Sequence, residues 1–207
     1  MQSLSAPFPA TLEIDYPDRE LNRVTTLFRP FTVIPIAIVL GLINGSTVRA
    51  TNKYMFGTGG IVFLATVLML VFRQKYPRWW FEWNVGVTKF GTRVSAYLAL
   101  LRDEYPATDD DQAVHVVIPY PGARDELNRW LPLVKWVLAV PHYVMLCVLG
   151  LAACVAVLIA WFAILFTGRY PRSLFDFVVG VLRWCLRVTA YAFLLTTDRY
   201  PPFTLAA

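Results

Sequence analysis

The stretch Leu131–Phe166 reads LPLVKWVLAVPHYVMLCVLGLAACVAVLIAWFAILF, and Lys135 and His142 are its strongly polar residues. A single helix of this length would be roughly 54 Å long at about 1.5 Å per residue, whereas the hydrocarbon core of a bilayer is about 30 Å thick. The stretch therefore predicts an integral membrane hairpin of two antiparallel helices with a turn near Val148–Leu151.

The composition agrees with a membrane protein. Apolar residues make up 57% of the 207-residue chain and charged residues 16%. Soluble domains average roughly 45–50% and about 25%, respectively. This composition would be abnormal for a soluble domain, and nucleic-acid binding is not expected because the basic residues are embedded among apolar ones.

Four short motifs occur twice along the chain, which indicates an internal duplication. The first is offset by 106 residues and the others by 94 or 95, so the second copy lacks 12 residues, at the polar stretch Asn44–Lys53. The paired motifs are Glu-Leu-Asn-Arg at 20–23 and 126–129, Tyr-Pro-Arg at 76–78 and 170–172, Arg-Val-Ser/Thr-Ala-Tyr at 93–97 and 187–191, and Tyr-Pro at 105–106 and 200–201.

We predict an all-α membrane protein with two tandem repeats, each a transmembrane hairpin followed by an amphipathic interfacial helix and preceded by a short cytoplasmic strand. Repeat 1 covers residues 1–107, with its hairpin at about 27–72 and its amphipathic helix at about 79–101. An acidic linker, 108–113, leads to repeat 2 at 114–207, with a hairpin at about 131–166 and an amphipathic helix at about 173–195. The strands, Thr11–Asp15 and Val114–Ile118, are expected to pair or to lie on the membrane surface.

The start and the course of the first helix of each hairpin are also predicted. Asn22 or Asn128 of the ELNR motif is expected to help start the helix. Prolines within it are expected to kink the helix or to shorten it: Pro30 and Pro35 in repeat 1, and Pro132 and Pro141 in repeat 2.

The third helix of each repeat carries a polar stripe, because spacings of 7, 4 and 4 keep four residues on one face. We favour an interfacial position, in which the stripe faces lipid headgroups and the apolar side is buried in the bilayer. A spanning helix with the stripe inside a bundle is the alternative. The stripe residues are Glu82, Lys89, Arg93 and Tyr97 in repeat 1, and Asp176, Arg183, Arg187 and Tyr191 in repeat 2.

The basic residues predict the orientation. With two hairpins and two interfacial helices, only Arg49 and Lys53 of the 19 Lys and Arg residues lie on the far side. The positive-inside rule then places both termini in the cytoplasm. The predicted location is the bacterial plasma (inner) membrane, with multiple passes.

Several motifs together resemble a family of uncharacterised actinobacterial-type multi-pass membrane proteins whose domain of unknown function often occurs in tandem. They are ELNR, the Pro141–His142 pair, LFTGRYPRSLFDFVVGVLRW at 165–184 and LLTTDRYPPF at 194–203. The resemblance covers nearly the whole chain, is strongest over Leu127–Phe203, and implies paired hairpins without established catalytic residues. The first copy departs from it, with Ile36 in place of the histidine and Trp79-Trp80-Phe81-Glu82 in place of Ser-Leu-Phe-Asp.

Two sets of residues are candidates for a site. His142 lies inside a predicted membrane helix, either as a histidine bonded to a carbonyl or a neighbouring helix, or in a quinone or proton-relay role. The stripe cations and their neighbours are candidates for anionic lipid headgroups, with simple interfacial anchoring as the alternative. This second set comprises Arg78, Lys89, Arg93, Arg172, Arg183 and Arg187.

The sequence predicts no catalytic, cofactor or metal site, and we therefore expect a non-enzymatic protein. The leading hypothesis is an accessory or scaffold subunit that packs against other membrane subunits and anionic lipids. The alternative is a small transporter or lipid-handling protein built from two related halves and acting as a homo-oligomer.

Overall fold

The computed structural model of the chain describes residues 8–17, 21–44, 58–108 and 112–206. The predicted polar loop beyond Asn44 and the centre of the acidic linker, 109–111, lie outside these residues. The described elements are β1 (Thr11–Ile14), α1 (Arg23–Asn44), α2 (Thr58–Leu68) with a π-helical extension Met69–Arg73, α3 (Arg78–Leu98), β2 (Val114–Val117), a 3-10 turn Leu131–Leu133, α4 (Lys135–Leu138), α5 (Val140–Thr167) and α6 (Arg172–Ala192).

The two strands pair with each other in an antiparallel sheet, as the sequence predicts. Thr11 lies opposite Val117 and Ile14 opposite Val114. Alternate side chains of both strands are buried, because successive residues of a strand point to opposite faces. β1 contacts α6 and β2 contacts α3, so the sheet closes one side of the core.

Helix α1 begins at a capped end and is bent. Asn22 Oδ1 accepts hydrogen bonds from the backbone N–H groups of Val24 and Thr25 at 2.9 and 3.3 Å, which is the helix-starting role predicted for this asparagine. The segments on either side of Pro30 meet at 53°. Proline lacks the N–H that would bond one turn back and its ring collides with that carbonyl, so the predicted kink is confirmed.

The predicted hairpin within residues 131–166 is wrong, because α5 is one continuous helix of 28 residues that contains Val148–Leu151 in its middle. At 1.5 Å per residue, α5 is only about 42 Å long. The preceding residues form separate short turns up to Leu138. The length of the whole apolar stretch therefore overestimates the length of the helix. Nothing polar interrupts Val148–Leu151, and Gly150 alone costs a helix only about 1 kcal/mol.

The helical hairpin of the second half consists instead of α5 and α6. Gly168, with φ at 74°, ends α5 in the left-handed conformation that glycine adopts without penalty, and α6 begins four residues later. Ala139, just before α5, packs in one cluster with Trp184 and Val188 from the second half of α6. Helix α6 therefore returns antiparallel along α5.

The predicted interfacial position of the third helix is wrong for α6, because protein covers its apolar side. Phe175, Val178 and Leu186 lie in the same core cluster as the strand residues Leu12 and Val116. An amphipathic pattern shows which face of a helix is buried but not whether lipid or protein buries it. The boundaries at Arg78–Leu98 and Arg172–Ala192 lie within a few residues of the predicted ones.

The two halves exchange the aromatic residues that follow the strands. Tyr16, after β1, meets Phe175 of α6 edge to face with ring centroids 5.0 Å apart. Tyr120, after β2, meets Phe81 of α3 in the same geometry at 5.1 Å. The hydroxyls of these tyrosines donate to the carbonyls of Tyr170 and Tyr76, respectively. Neither half therefore completes its core alone.

Alanine substitution at Gly180 and at its counterpart Gly86 is expected to change the free energy of unfolding in opposite directions. A Cβ at Gly180 would lie 2.9 Å from Leu205 Cβ and 3.1 Å from its carbonyl oxygen, whereas a Cβ at Gly86 meets no described atom within 4 Å. Gly180→Ala is expected to lower the free energy of unfolding by about 1–3 kcal/mol through overpacking. Gly86→Ala is expected to raise it by about 0.5–1 kcal/mol, because alanine favours a helix over glycine.

The measurement for this pair is chemical denaturation in a mild detergent, together with limited proteolysis of the C-terminal tail. The tail should become more susceptible to cleavage in Gly180→Ala only. Equal effects of the two substitutions would contradict a tail packed against Gly180.

Candidate functional site

The first buried ion pair joins α1 to the segment after α3. The Arg29 guanidinium pairs with Asp103 through Nη2, and its Nη1 donates to the carbonyls of Tyr97 and Arg102 at 3.2 and 3.0 Å. The guanidinium carbon lies 4.4 Å from the centroid of the Tyr97 ring. The other Asp103 oxygen accepts from the backbone N–H of Asn22 at 2.9 Å.

The second buried ion pair joins α4 to the segment after α6 with the same parts. Lys135 Nζ lies 2.7 Å from Asp198 Oδ1 and donates to the Thr197 carbonyl at 2.8 Å. It lies 5.3 Å from the centroid of the Tyr191 ring. The Asp198 Oδ2 atom accepts from the backbone N–H of Asn128 at 2.5 Å.

These contacts connect the repeated sequence motifs. The asparagine of ELNR, the tyrosine of the Arg-Val-x-Ala-Tyr motif and the aspartate just before Tyr-Pro surround one buried cation in each half. Sequence reasoning missed the cation and the aspartate as partners. The signal was present, because the offset of 106 that aligns the ELNR motifs also aligns Arg29 with Lys135.

Within the second pair Lys135 has no exposed surface, whereas the Asp198 side chain is 23% exposed. Burial lowers the pKa of the Lys135 ammonium, while the hydrogen bond and the charge of Asp198 act in the opposite direction. The Asp198 carboxylate therefore stabilises the charged form of the buried Lys135 amine.

His142 is buried in an aromatic enclosure in the first turn of α5. Its Nδ1 accepts a hydrogen bond from Trp184 Nε1 on α6 at 3.0 Å, and its ring stacks on Phe203 with centroids 4.1 Å apart. The hydrogen bond to α6 is the one that the interpretation of His142 as a histidine bonded to a neighbouring helix requires, and the quinone or proton-relay role stays a prediction. Because Nδ1 accepts, a neutral ring carries its proton on Nε2, which has no partner among the described residues.

His142→Leu is expected to lower the free energy of unfolding by about 1–3 kcal/mol, because the buried Trp184 N–H loses its acceptor. The matched background is Trp184→Phe, which removes the donor. In that background the same histidine substitution should cost less, and the difference gives the coupling energy of the pair in a double-mutant cycle. Strictly additive effects would show that the Trp184–His142 hydrogen bond does not stabilise the fold.

Three of the candidate headgroup cations bind backbone carbonyls of this chain. Arg183 Nε donates to Leu12 in β1 at 3.0 Å. Arg187, which is buried, donates through Nη2 to Ala206 at 2.7 Å, and Arg93 Nη1 donates to Ala107 at 2.6 Å. These arginines therefore hold β1 and the segments after α3 and α6, and Arg187 presents no free guanidinium to a headgroup.

The other three candidates are exposed. Arg78 lies 3.9 Å from Glu82 one turn along α3, Arg172 covers the Tyr16 ring at 4.9 Å, and Lys89 projects from α3. The structure does not gather all six cations into one surface, and the headgroup role of these three stays a prediction.

The sequence of the second half matches a family model, that of a domain of unknown function, DUF4389, over residues 130–204. The match contains Lys135, His142, Arg187 and Asp198, and thus the second ion pair. It is consistent with the predicted resemblance to an uncharacterised family. Neither curated proteins nor solved structures gave a match.

Proposed function

We propose that this chain is a non-enzymatic integral protein of the bacterial plasma membrane and acts as an accessory or scaffold subunit of a larger membrane complex. One observation carries the proposal. Helix α5 is long and apolar enough to cross a bilayer. Within its 18-residue apolar stretch, only 17% is buried inside the rest of the chain. A core helix of a soluble protein has the same composition but is enclosed by its own fold.

The outward face of α5 is apolar along its length. Water-soluble monomers rarely expose contiguous apolar patches larger than a few hundred Å². Lipid or the apolar face of another subunit is therefore the expected surrounding. The exposed large side chains of α5 are Val140, Val144, Met145, Val148, Leu151, Val155, Leu158, Ile159, Phe162 and Phe166.

The ends of α5 suit the two membrane surfaces. Trp130 and Trp136 are exposed shortly before its start, and Arg169 and Arg172 follow its end. Tryptophan and basic residues favour the headgroup region. A length of about 42 Å corresponds to the bilayer with its headgroups, about 40–45 Å.

Helix α5 and the bent helix α1 are the segments of the described chain whose length and composition suit a membrane crossing, and we propose that both of them cross. Both termini then share one side of the membrane, which we propose to be the cytoplasm. The described residues of α1 with exposed large apolar side chains extend the lipid- or subunit-facing surface: Val24, Leu27, Phe28, Phe31, Ile34, Ile38 and Val39. The exposed cations Arg78, Lys89 and Arg172 are the proposed contacts to anionic lipids.

Purification of the full chain from its native membranes in a mild detergent, with mass spectrometry of intact complexes, tests the subunit role. The expected result is a fixed stoichiometry with one or more foreign membrane proteins. A homo-oligomer that carries only lipid would overturn the subunit role and favour lipid handling or transport.

The exposed cysteines of α5 allow the contact to be located. Cys154 is exposed on this helix. In a Cys147→Ala, Cys185→Ala background, a benzophenone maleimide on Cys154 should cross-link to the same subunit that co-purifies in fixed ratio. A matched Val117→Cys variant in β2, also outward-facing, in which Cys154 is replaced by alanine as well, should not. Cross-linking to lipid alone from Cys154 would place the partner elsewhere.

A further inference from the structure

A cavity of about 340 Å³ lies between α1, the end of α3 and the second half of α5. Leu98, Leu100, Val157 and Trp161 form apolar walls, and Thr26 and Arg29 of α1 are the polar residues that line the cavity. Leu98 and Leu158, which also lines the cavity, are both exposed. The cavity thus opens onto the apolar surface of the protein rather than onto a polar one.

Two buried polar atoms belong to residues that line this cavity and lack partners. Thr26 Oγ1 and Arg29 Nε have no hydrogen-bond partner within the described part of the chain, although Thr26 is completely buried and Arg29 nearly so. The other guanidinium nitrogens of Arg29 are engaged by carbonyls and by Asp103. Buried polar groups are normally satisfied, so the polar end of the cavity is complete only with a further hydrogen-bonding group.

We propose that the cavity binds a neutral amphiphile from the lipid phase: an apolar chain or ring with one carbonyl or hydroxyl oxygen that accepts from Arg29 Nε–H and contacts the Thr26 hydroxyl. The ion pair with Asp103 compensates the charge of Arg29, so the site offers hydrogen-bond donors without a net charge to attract an anion. An apolar cavity of about 150 Å³ holds benzene. The present volume fits one ring with a short tail, or the ester end of an acyl chain.

The second half lacks this arrangement. At the position equivalent to Thr26 it has Pro132, which has no hydroxyl, and at that of Arg29 it has Lys135, whose amine already binds Asp198 and Thr197. The site therefore belongs to the first half, where the repeat diverges. The proposed ligand comes from the lipid phase, so its supply rests on the membrane placement proposed above. Binding of the ligand in the cavity does not depend on that placement.

The full chain in detergent is titrated with three brominated probes: methyl 9,10-dibromostearate, the free 9,10-dibromostearate anion, and 9,10-dibromo-octadecane. Bromine quenches indole fluorescence, and Trp161 lines the cavity. Binding in the cavity is therefore measured as the quenching seen in the natural chain but not in the Trp161→Phe variant. We expect saturable quenching with the ester at a concentration about three- to tenfold lower than with the hydrocarbon, the range that one hydrogen bond provides.

Thr26→Val, which keeps the shape of the side chain, should reduce the advantage of the ester over the hydrocarbon, because only the hydrogen bond from Arg29 Nε–H then remains. Thr32→Val is the matched control on α1, because its hydroxyl contacts Tyr97 and the Arg29 carbonyl and does not line the cavity. Val157→Phe should fill the cavity and abolish saturable quenching by all three probes.

The inference is overturned if the ester and the hydrocarbon bind equally to the natural chain, if Thr26→Val leaves the ester unchanged, or if the anion binds more tightly than the ester. Flotation of the chain with phosphatidylcholine–phosphatidylglycerol vesicles is measured in parallel. A chain that binds the ester but does not float would refute the membrane placement alone, and the converse would refute the cavity site alone.

Discussion

Asp198→Ala is expected to lower the free energy of unfolding by about 3–5 kcal/mol, because it leaves the Lys135 ammonium buried without its counter-charge. Lys135 is fully buried, 2.7 Å from the carboxylate, and burial already lowers the pKa of this amine. For a chain of this size the melting temperature should fall by about 6–20 °C. Chemical denaturation and thermal melting in a mild detergent measure the change.

The matched control is the exposed pair Arg78–Glu82, whose charged groups are 3.9 Å apart. Glu82→Ala should change stability by less than about 1 kcal/mol, because solvent screens exposed pairs. The double variant Lys135→Met, Asp198→Leu should recover much of the loss, since no charge then remains buried. An Asp198→Ala effect as small as that of Glu82→Ala would show that Lys135 finds another partner or loses its proton at little cost.

Local patterns in the sequence predicted the local structure well. The alternation at Thr11–Asp15 and Val114–Ile118 predicted two strands that pair, Asn22 predicted the start of α1, and Pro30 predicted its bend. Each of these outcomes depends on residues within one turn or one strand, where the backbone geometry leaves few alternatives.

The long-range arrangement was missed for a different reason. Hydrophobicity shows that a face is buried, but lipid, a second copy of the motif and a strand bury it equally well. The interfacial position of α6 was therefore wrong, and the exchange of Tyr16 and Tyr120 between the halves was not foreseen. The pairs Arg29–Asp103 and Lys135–Asp198 join residues more than 60 positions apart, and only the comparison of the two copies relates them.

The prediction of a turn within residues 131–166 was wrong because of one specific assumption. The whole apolar stretch was counted as one helical axis, although Pro132 and Pro141 divide its beginning into short turns. Once Leu131–Ala139 leaves the axis, the remaining helix matches a bilayer with its headgroups and has no need to fold back.

Val155→Arg is expected to prevent stable membrane integration of the chain. Val155 lies near the middle of α5 on its exposed face, and an arginine at the centre of a membrane helix costs about 2.5–3.5 kcal/mol on insertion scales. The membrane fraction that resists alkaline carbonate extraction should therefore fall by a large factor. On a water-facing surface the same substitution would change stability by only about 0.5 kcal/mol.

Val117→Arg is the matched control, because Val117 has the same side chain and nearly the same exposure, 59% against 56% for Val155. Val117 lies on the exposed face of β2, which is not among the candidate membrane helices, so its substitution should leave integration unchanged. If both variants stay in the membrane, the exposed face of α5 must be covered by protein that can accept a charge. If both are lost, the sheet must contact the bilayer as well, which returns to the alternative that the strands lie on the membrane surface.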